Sequence, residues 1–143
     1  MQEADPSRAL WRAWNTVNAA YSTFAREQGA NETELCAVYA LWDKPEGCTQ
    51  RQLAAEIFTS KQTTSALVAR MRKRGWLDAS VGGDDARERV VRLTGKGRTH
   101  YEGTISRLRR AEAAAARAVG AVDVEACAAV LEGYARELGE AIS

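Results

Sequence analysis

Residues 80–97 read SVGGDDARERVVRLTGKG. Gly82-Gly83-Asp84-Asp85 supplies the chemistry of a tight turn, since glycine takes positive φ without a Cβ clash and aspartate bonds to its own backbone. Arg89-Val90-Val91-Arg92-Leu93 leaves that turn as a β-rich run, and Trp76-Leu77 begins an extended run before it. The stretch therefore predicts a β-hairpin carrying Arg87 and Arg89 at or near its tip. Thr94 ends the hairpin and is placed to cap a following helix.

Working back from the hairpin, Thr49 with Gln52 three residues on is a capping-box pattern, and Leu53, Ala54, Ile57 and Phe58 give the helix it starts a buried side. Ser60 caps a second helix whose core positions are Thr64, Leu67, Val68 and Met71 and which stops at Gly75. Two short helices joined by a tight turn and followed at once by a basic hairpin form a winged helix-turn-helix. In that arrangement the second helix enters the DNA major groove while the hairpin follows the backbone or enters the minor groove. Arginines suit a narrow, electronegative groove because guanidinium is planar and weakly hydrated.

Longer helices flank this centre. Asp5-Pro6 starts one in which Leu10, Trp14, Val17, Tyr21 and Phe24 recur at alternating steps of four and three, ending near Gly29. Asn31 with Glu34 reads as a second capping box, with Leu35, Val38, Tyr39 and Trp42 on one apolar face before Lys44-Pro45-Glu46-Gly47 stops the helix. Beyond the hairpin, Gly95 to Val119 is helical with Tyr101, Ile105 and Leu108 on one face. Gly120 breaks it, and Asp123 caps a last helix bearing Cys127, Leu131, Tyr134 and Leu138. The apolar stripes of the first and last helices exceed what so small a core can cover, which predicts pairing with a second chain.

The chain has 143 residues, 45% hydrophobic and 27% charged, enough for about one domain. Its net charge of +1 argues against a uniformly basic surface, but the charge is segregated. Thr49 to Arg98 holds eleven basic and five acidic residues, a balance of +6, while the remainder holds nine and fourteen, a balance of −5. A basic middle between acidic ends fits a polyanion at the centre. No run is long and apolar enough to span a bilayer, and MQEADPSRALW lacks the basic flank and apolar run of an export signal, so a cytoplasmic location without membrane attachment is expected.

Catalysis finds little support. The single histidine, His100, has no acidic or cysteine partner at ligand spacing, and Gly95-x-Gly97 lacks the remaining glycines of a phosphate loop. No enzyme activity, metal or cofactor is expected. Cys36, Cys48 and Cys127 form no C-x-x-C pair and read as free thiols. Cys36 and Cys127 fall on apolar faces as packing residues, whereas Cys48 precedes a helix start near Arg51, which favours a thiolate and makes it a redox candidate.

The sequence resembles the MarR (multiple antibiotic resistance regulator) family of transcription factors. The residues that carry the resemblance are Thr49-Gln50-Arg51-Gln52-Leu53-Ala54, Leu67 to Met71 before Arg74-Gly75-Trp76-Leu77, and Asp85-x-Arg87 followed by Leu93-Thr94-x-x-Gly97. The resemblance implies a mainly α fold with a small β-hairpin wing, in which residues 31–94 form the winged helix-turn-helix and residues 5–28 and 95–143 the dimerisation helices. It further implies a homodimeric repressor of a pseudo-palindromic duplex, with half-sites about 34 Å apart.

Carried over, Asp85 braces Arg87 in the minor groove, and Ser60, Lys61, Gln62, Thr63 and Ser65 face bases and phosphates. Gln50, Arg51, Arg70 and Arg89 complete the DNA-binding set, and Gln62 is suited to pair bidentately with adenine. Ala66 stands where relatives often carry a basic residue, which moves base reading toward Lys61-Gln62-Thr63. The family's usual signal, a small aromatic or anionic effector, would be lined by Trp11, Trp14, Asn18, Tyr39 and Trp42. Two alternatives stay open: a dimeric helical interaction module without DNA, and a thiol-based regulator acting through Cys48.

Overall fold

The computed structural model describes residues 5–81 and 89–143, so the hairpin tip with Asp85 and Arg87 lies outside the described residues. The element order is α1 (Pro6–Glu27), α2 (Glu32–Trp42), β1 (Cys48–Thr49), α3 (Gln50–Glu56), α4 (Lys61–Lys73), β2 (Leu77–Val81), β3 (Arg89–Leu93), α5 (Gly95–Val119) and α6 (Ala121–Ile142). The chain divides into a unit ending at Thr104 and a second beginning at Ile105, with α5 running through both.

Local signals set the helix ends of the first unit. Asp5 Oδ1 accepts from the Ser7 amide at 3.0 Å ahead of Pro6, and Thr49 and Gln52 exchange both bonds of a capping box at 3.1 and 2.9 Å. Three helices end alike. In α1, α3 and α4 the residue after the cap bonds back three residues and the next one five, the paired bonds of a Schellman motif. Gly29 and Gly75 hold the left-handed position in α1 and α4, with φ of +66° and +79°. In α3 the same position is held by Phe58, at φ +54°.

The core of this unit gathers Leu35, Ala37, Val38 and Leu41 of α2, Leu53 and Ala54 of α3, Leu67, Val68 and Met71 of α4, and Leu77, Val91 and Leu93 of the sheet. Thr64 is also fully buried and satisfied, its hydroxyl donating to the Ser60 carbonyl and accepting from Thr59. The sheet is antiparallel in the order β1-β3-β2, with Cys48 opposite Val91 and Leu77 opposite Leu93. Sequence reading took Thr49 only as a cap; together with Cys48 it is also a third strand. Gly47 makes that strand possible, since at φ +77° a Cβ there would lie 2.2 Å from the Val91 carbonyl oxygen.

The second unit contains the end of α5 and all of α6. Ile105 and Leu108 are buried at the expected spacing, whereas α6 has no buried residue and exposes Val122, Val130, Tyr134, Leu138 and Ile142. Gly120, not Asp123, is its N-cap, and Asp123 sits in the first turn without a side-chain capping bond.

Several expectations are corrected. Phe58, assigned to the buried side of α3, is 93% exposed because the helix stops at Glu56 and the left-handed turn carries the ring outward. Cys36 and Cys127 are exposed rather than packed inside. Tyr39 is also exposed, and Ala37 and Leu41 take the inner face of α2 instead. The Asn31 pattern is half a capping box: Asn31 Oδ1 accepts from the Glu34 amide, but the Glu34 carboxylate turns inward.

Gly47→Ala combines left-handed strain with a backbone clash, so we expect a loss of about 2 kcal/mol or more, read as a lowered urea midpoint with an unchanged slope.

Candidate nucleic-acid interface

The first turns of α4 are presented to solvent by a buried back face. Thr64, Leu67, Val68 and Met71 anchor the inner side, leaving Lys61, Gln62, Thr63, Ser65 and Ala66 exposed. Ser60 is the N-cap; its hydroxyl accepts from the Thr63 amide at 3.0 Å and donates to Thr63 Oγ1 at 2.9 Å. Lys61 and Gln62 therefore project from a fixed helix start, while the Ser60 and Thr63 hydroxyls are partly committed to the cap. Arg51 is exposed on α3 and Gln50 half-buried at its start, and Arg89 is exposed on β3 opposite Val81.

Arg70, a member of the expected DNA-binding set, has a partner within the fold. Its Nε donates to Glu34 Oε1 at 2.8 Å, and Arg74 Nη1 lies 3.5 Å from Glu34 Oε2. Glu34 is only 3% exposed, so its charge depends on these two half-exposed guanidinium groups. The Tyr101 hydroxyl donates to the same carboxylate; burial first, then the charge and hydrogen bond of Glu34, push its pKa up to about 12. Arg70 thus fastens α4 to α2.

Beside this network lies a cavity of about 490 Å³ lined in part by Glu34, Arg70, Arg74, Trp76, His100 and Tyr101. Trp76 and His100 stack at 4.2 Å, and the Arg74 guanidinium sits 5.0 Å from the Trp76 ring. Rings of Trp76, His100 and Tyr101 and two guanidinium groups thus line the cavity together with the Glu34 carboxylate. Sequence reading missed this cluster, although Glu34 falls three and seven residues before Ala37 and Leu41 on the inner face of α2.

None of the five expected pocket residues lines that cavity. Trp11 and Trp14 stand 65% and 56% exposed on α1, with Asn18 also exposed. Trp42 is half-buried, its carbonyl accepting from Arg98 Nη1 at 3.0 Å while the guanidinium lies 5.3 Å from its ring. Cys48 is half-buried, and burial pushes its thiol up; Lys44 opposes the shift, and Glu56 and Glu46 add to it. That direction is opposite to the thiolate expected from the helix start. Among the described residues no cluster of potential metal ligands occurs, and no helix is long and apolar enough to cross a membrane.

Comparison with known proteins points one way. A family profile described as MarR family matches residues 29–88. The fold is similar to that of a MarR family regulator from Neisseria meningitidis, NMB1585, at 19% identity over 97% of each chain with a TM-score of 0.86. It is similar to the Mycobacterium tuberculosis transcriptional regulator MosR, solved in complex with DNA, at 25% identity over 80% of this chain and 82% of that one, with a TM-score of 0.57. It is also similar to CouR from Rhodococcus jostii RHA1, bound to p-coumaroyl-CoA, at 19% identity over 92% and 93% of the chains with a TM-score of 0.72. No curated protein matches the chain.

The Tyr101 shift gives a direct test of the network. With its folded pKa raised above the unfolded value, Tyr101 contributes stability that is complete below about pH 10 and lost as pH rises toward 12. In Glu34→Gln the ultraviolet titration midpoint of Tyr101 should fall but remain above about 10, because burial persists. We expect a stability loss of about 1–3 kcal/mol, moderated because Arg70 and Arg74 keep contact with water.

Proposed function

We propose that this chain is a transcription factor of the MarR family, a homodimeric repressor that binds a pseudo-palindromic DNA duplex and releases it on binding a small anionic aromatic effector. The observation that carries this reading is α4, whose inner face is locked in the core while Lys61, Gln62, Thr63 and Ser65 stand exposed at its start. Such a helix fits the major groove, with Gln62 able to pair with adenine and Lys61 with phosphate. Arg89, exposed on β3, is placed to reach toward the adjacent minor groove, the role that the family resemblance also gives to Arg87.

Dimerisation is supported by the uncovered apolar residues of α1 and α6. Two copies place two recognition helices on successive major grooves, which a monomer cannot do. Effector binding is supported by the cavity beside Arg70 and Arg74: both arginines lie at the end of α4, so an anion engaging their outer edges acts directly on the recognition helix. The complexes of MosR with DNA and of CouR with p-coumaroyl-CoA support the same two capacities.

The test is selection of duplexes from a randomised pool by the purified protein, followed by gel shift and salt titration. We expect a palindromic consensus and affinity that falls steeply with salt. Gln62→Ala should cost about 1–3 kcal/mol at one base position, whereas Lys61→Ala should weaken all sequences evenly. Arg87→Ala should cost about 1 kcal/mol or more. Recovery of no consensus would remove the reading. The double change Val130→Asp with Leu138→Asp should convert a sedimenting dimer to monomer and abolish tight binding to the selected duplex.

A further inference from the structure

Phe58 breaks two rules at once. It occupies the left-handed C′ position of α3 at φ +54°, where the chain uses glycine after both α1 and α4, and its ring is 93% exposed. A bulky residue with positive φ is strained, and an exposed aromatic gains little from the core. Yet the turn itself is regular: the Phe58 amide bonds to the Ala55 carbonyl at 3.4 Å and the Thr59 amide to Ala54 at 3.0 Å. Glycine or asparagine would make the same turn without strain. The turn geometry therefore gives no reason for a phenylalanine.

Position does. Phe58 lies two residues before Ser60, the cap of the recognition helix, and three before Lys61. Its exposed sequence neighbours Ala55, Glu56, Ser60, Lys61 and Gln62 are small, polar or charged, so the adjoining chain does not extend the ring into a longer apolar stretch. A single aromatic of about 200 Å² is far below the roughly 1,000 Å² of a stable protein interface. Next to a helix start facing the major groove, an apolar partner of matching size is the C5-methyl of thymine, which phenylalanine contacts in direct readout.

We propose that Phe58 is a specificity-determining residue of the DNA interface, packing on a thymine methyl group at the edge of the major groove beside the bases faced by Lys61 and Gln62. The proposal rests on the DNA-binding reading of α4. The strained turn holds the ring out toward the duplex, with affinity gained at the expense of local stability.

The experiment uses the tightest duplex recovered by the wild-type protein from a randomised pool, and copies of it in which each thymine is replaced singly by deoxyuridine, which lacks only the methyl group. Phe58→Gly and Phe58→Asn both accept positive φ, so each should melt at or above the wild-type temperature, and each should bind the selected duplex about threefold to tenfold more weakly. One deoxyuridine should weaken wild-type binding by a similar factor and leave both variants unchanged, while binding to random-sequence DNA and its salt dependence stay the same in all three proteins. Recovery of no consensus by the wild type would sink the DNA reading itself. A consensus bound equally by wild type and variants, a deoxyuridine scan without effect, or variants altered in self-association instead of DNA affinity would overturn the role of Phe58 alone.

Discussion

A carboxylate inside a small protein has few options, and the surroundings of Glu34 are dictated by them. Burying its charge costs several kcal/mol unless partners of opposite charge and hydrogen-bond donors surround it. Arg70, Arg74 and Tyr101 supply them. Arg70 lies in the last turn of α4 and Arg74 is its C-cap, one helical turn further on, so satisfying Glu34 fixes both the rotation of α4 and its distance from α2. The apolar burial of Leu41, Leu67 and Met71 is non-directional and tolerates sliding; the contact of one carboxylate with two guanidinium groups does not.

The same end of the helix is tied to the wing by a small node. Gly75 leaves α4 through its left-handed turn, and its carbonyl accepts from the Thr94 hydroxyl at 2.6 Å. That hydroxyl in turn accepts from the Gly97 amide at 3.0 Å, capping α5, while the Thr94 amide donates to Trp76. Gly97 permits the approach, since a Cβ there would sit 2.2 Å from the Trp76 carbonyl oxygen. One threonine thus joins the end of α4, both wing strands and the start of α5. The spacing Leu93-Thr94-x-x-Gly97 has a mechanical meaning that its use as a family signature does not convey.

What the sequence made legible was local. Caps at Asp5, Thr49 and Ser60, the stop at Gly75 and the core positions of α4 depend on residues within one turn of each other, and propensity and periodicity read them correctly. What stayed hidden was long-range or directional. The contact of Glu34 with Arg70 spans 36 residues, and the pairing of Cys48 with Val91 spans more. Phe58 was misread because the apolar period of α3 was carried one turn too far; beyond Glu56 the backbone no longer keeps that period. Tryptophans at helical spacing marked a face of α1 without saying what would cover it, and the cavity beside Glu34 uses rings from Trp76 and from α5 that the sequence did not bring together.

These constraints limit how a signal could reach DNA. At its start α4 is held by the Ser60 cap and the part-buried hydrogen bonds among Thr59, Ser60 and Thr64, and at its end by Glu34 and Thr94. Bending the helix would break several of these at once, whereas moving it with its attachments breaks few. The weakest attachment is the outer edge of the Arg70 and Arg74 pair, where half-exposed guanidinium groups already share one carboxylate and retain N–H donors for another. On the proposed reading, an anion received there would draw both arginines outward and carry α4 with them. In the dimer proposed above, the spacing between the two α4 helices, rather than the shape of either one, would then be the quantity that an effector changes.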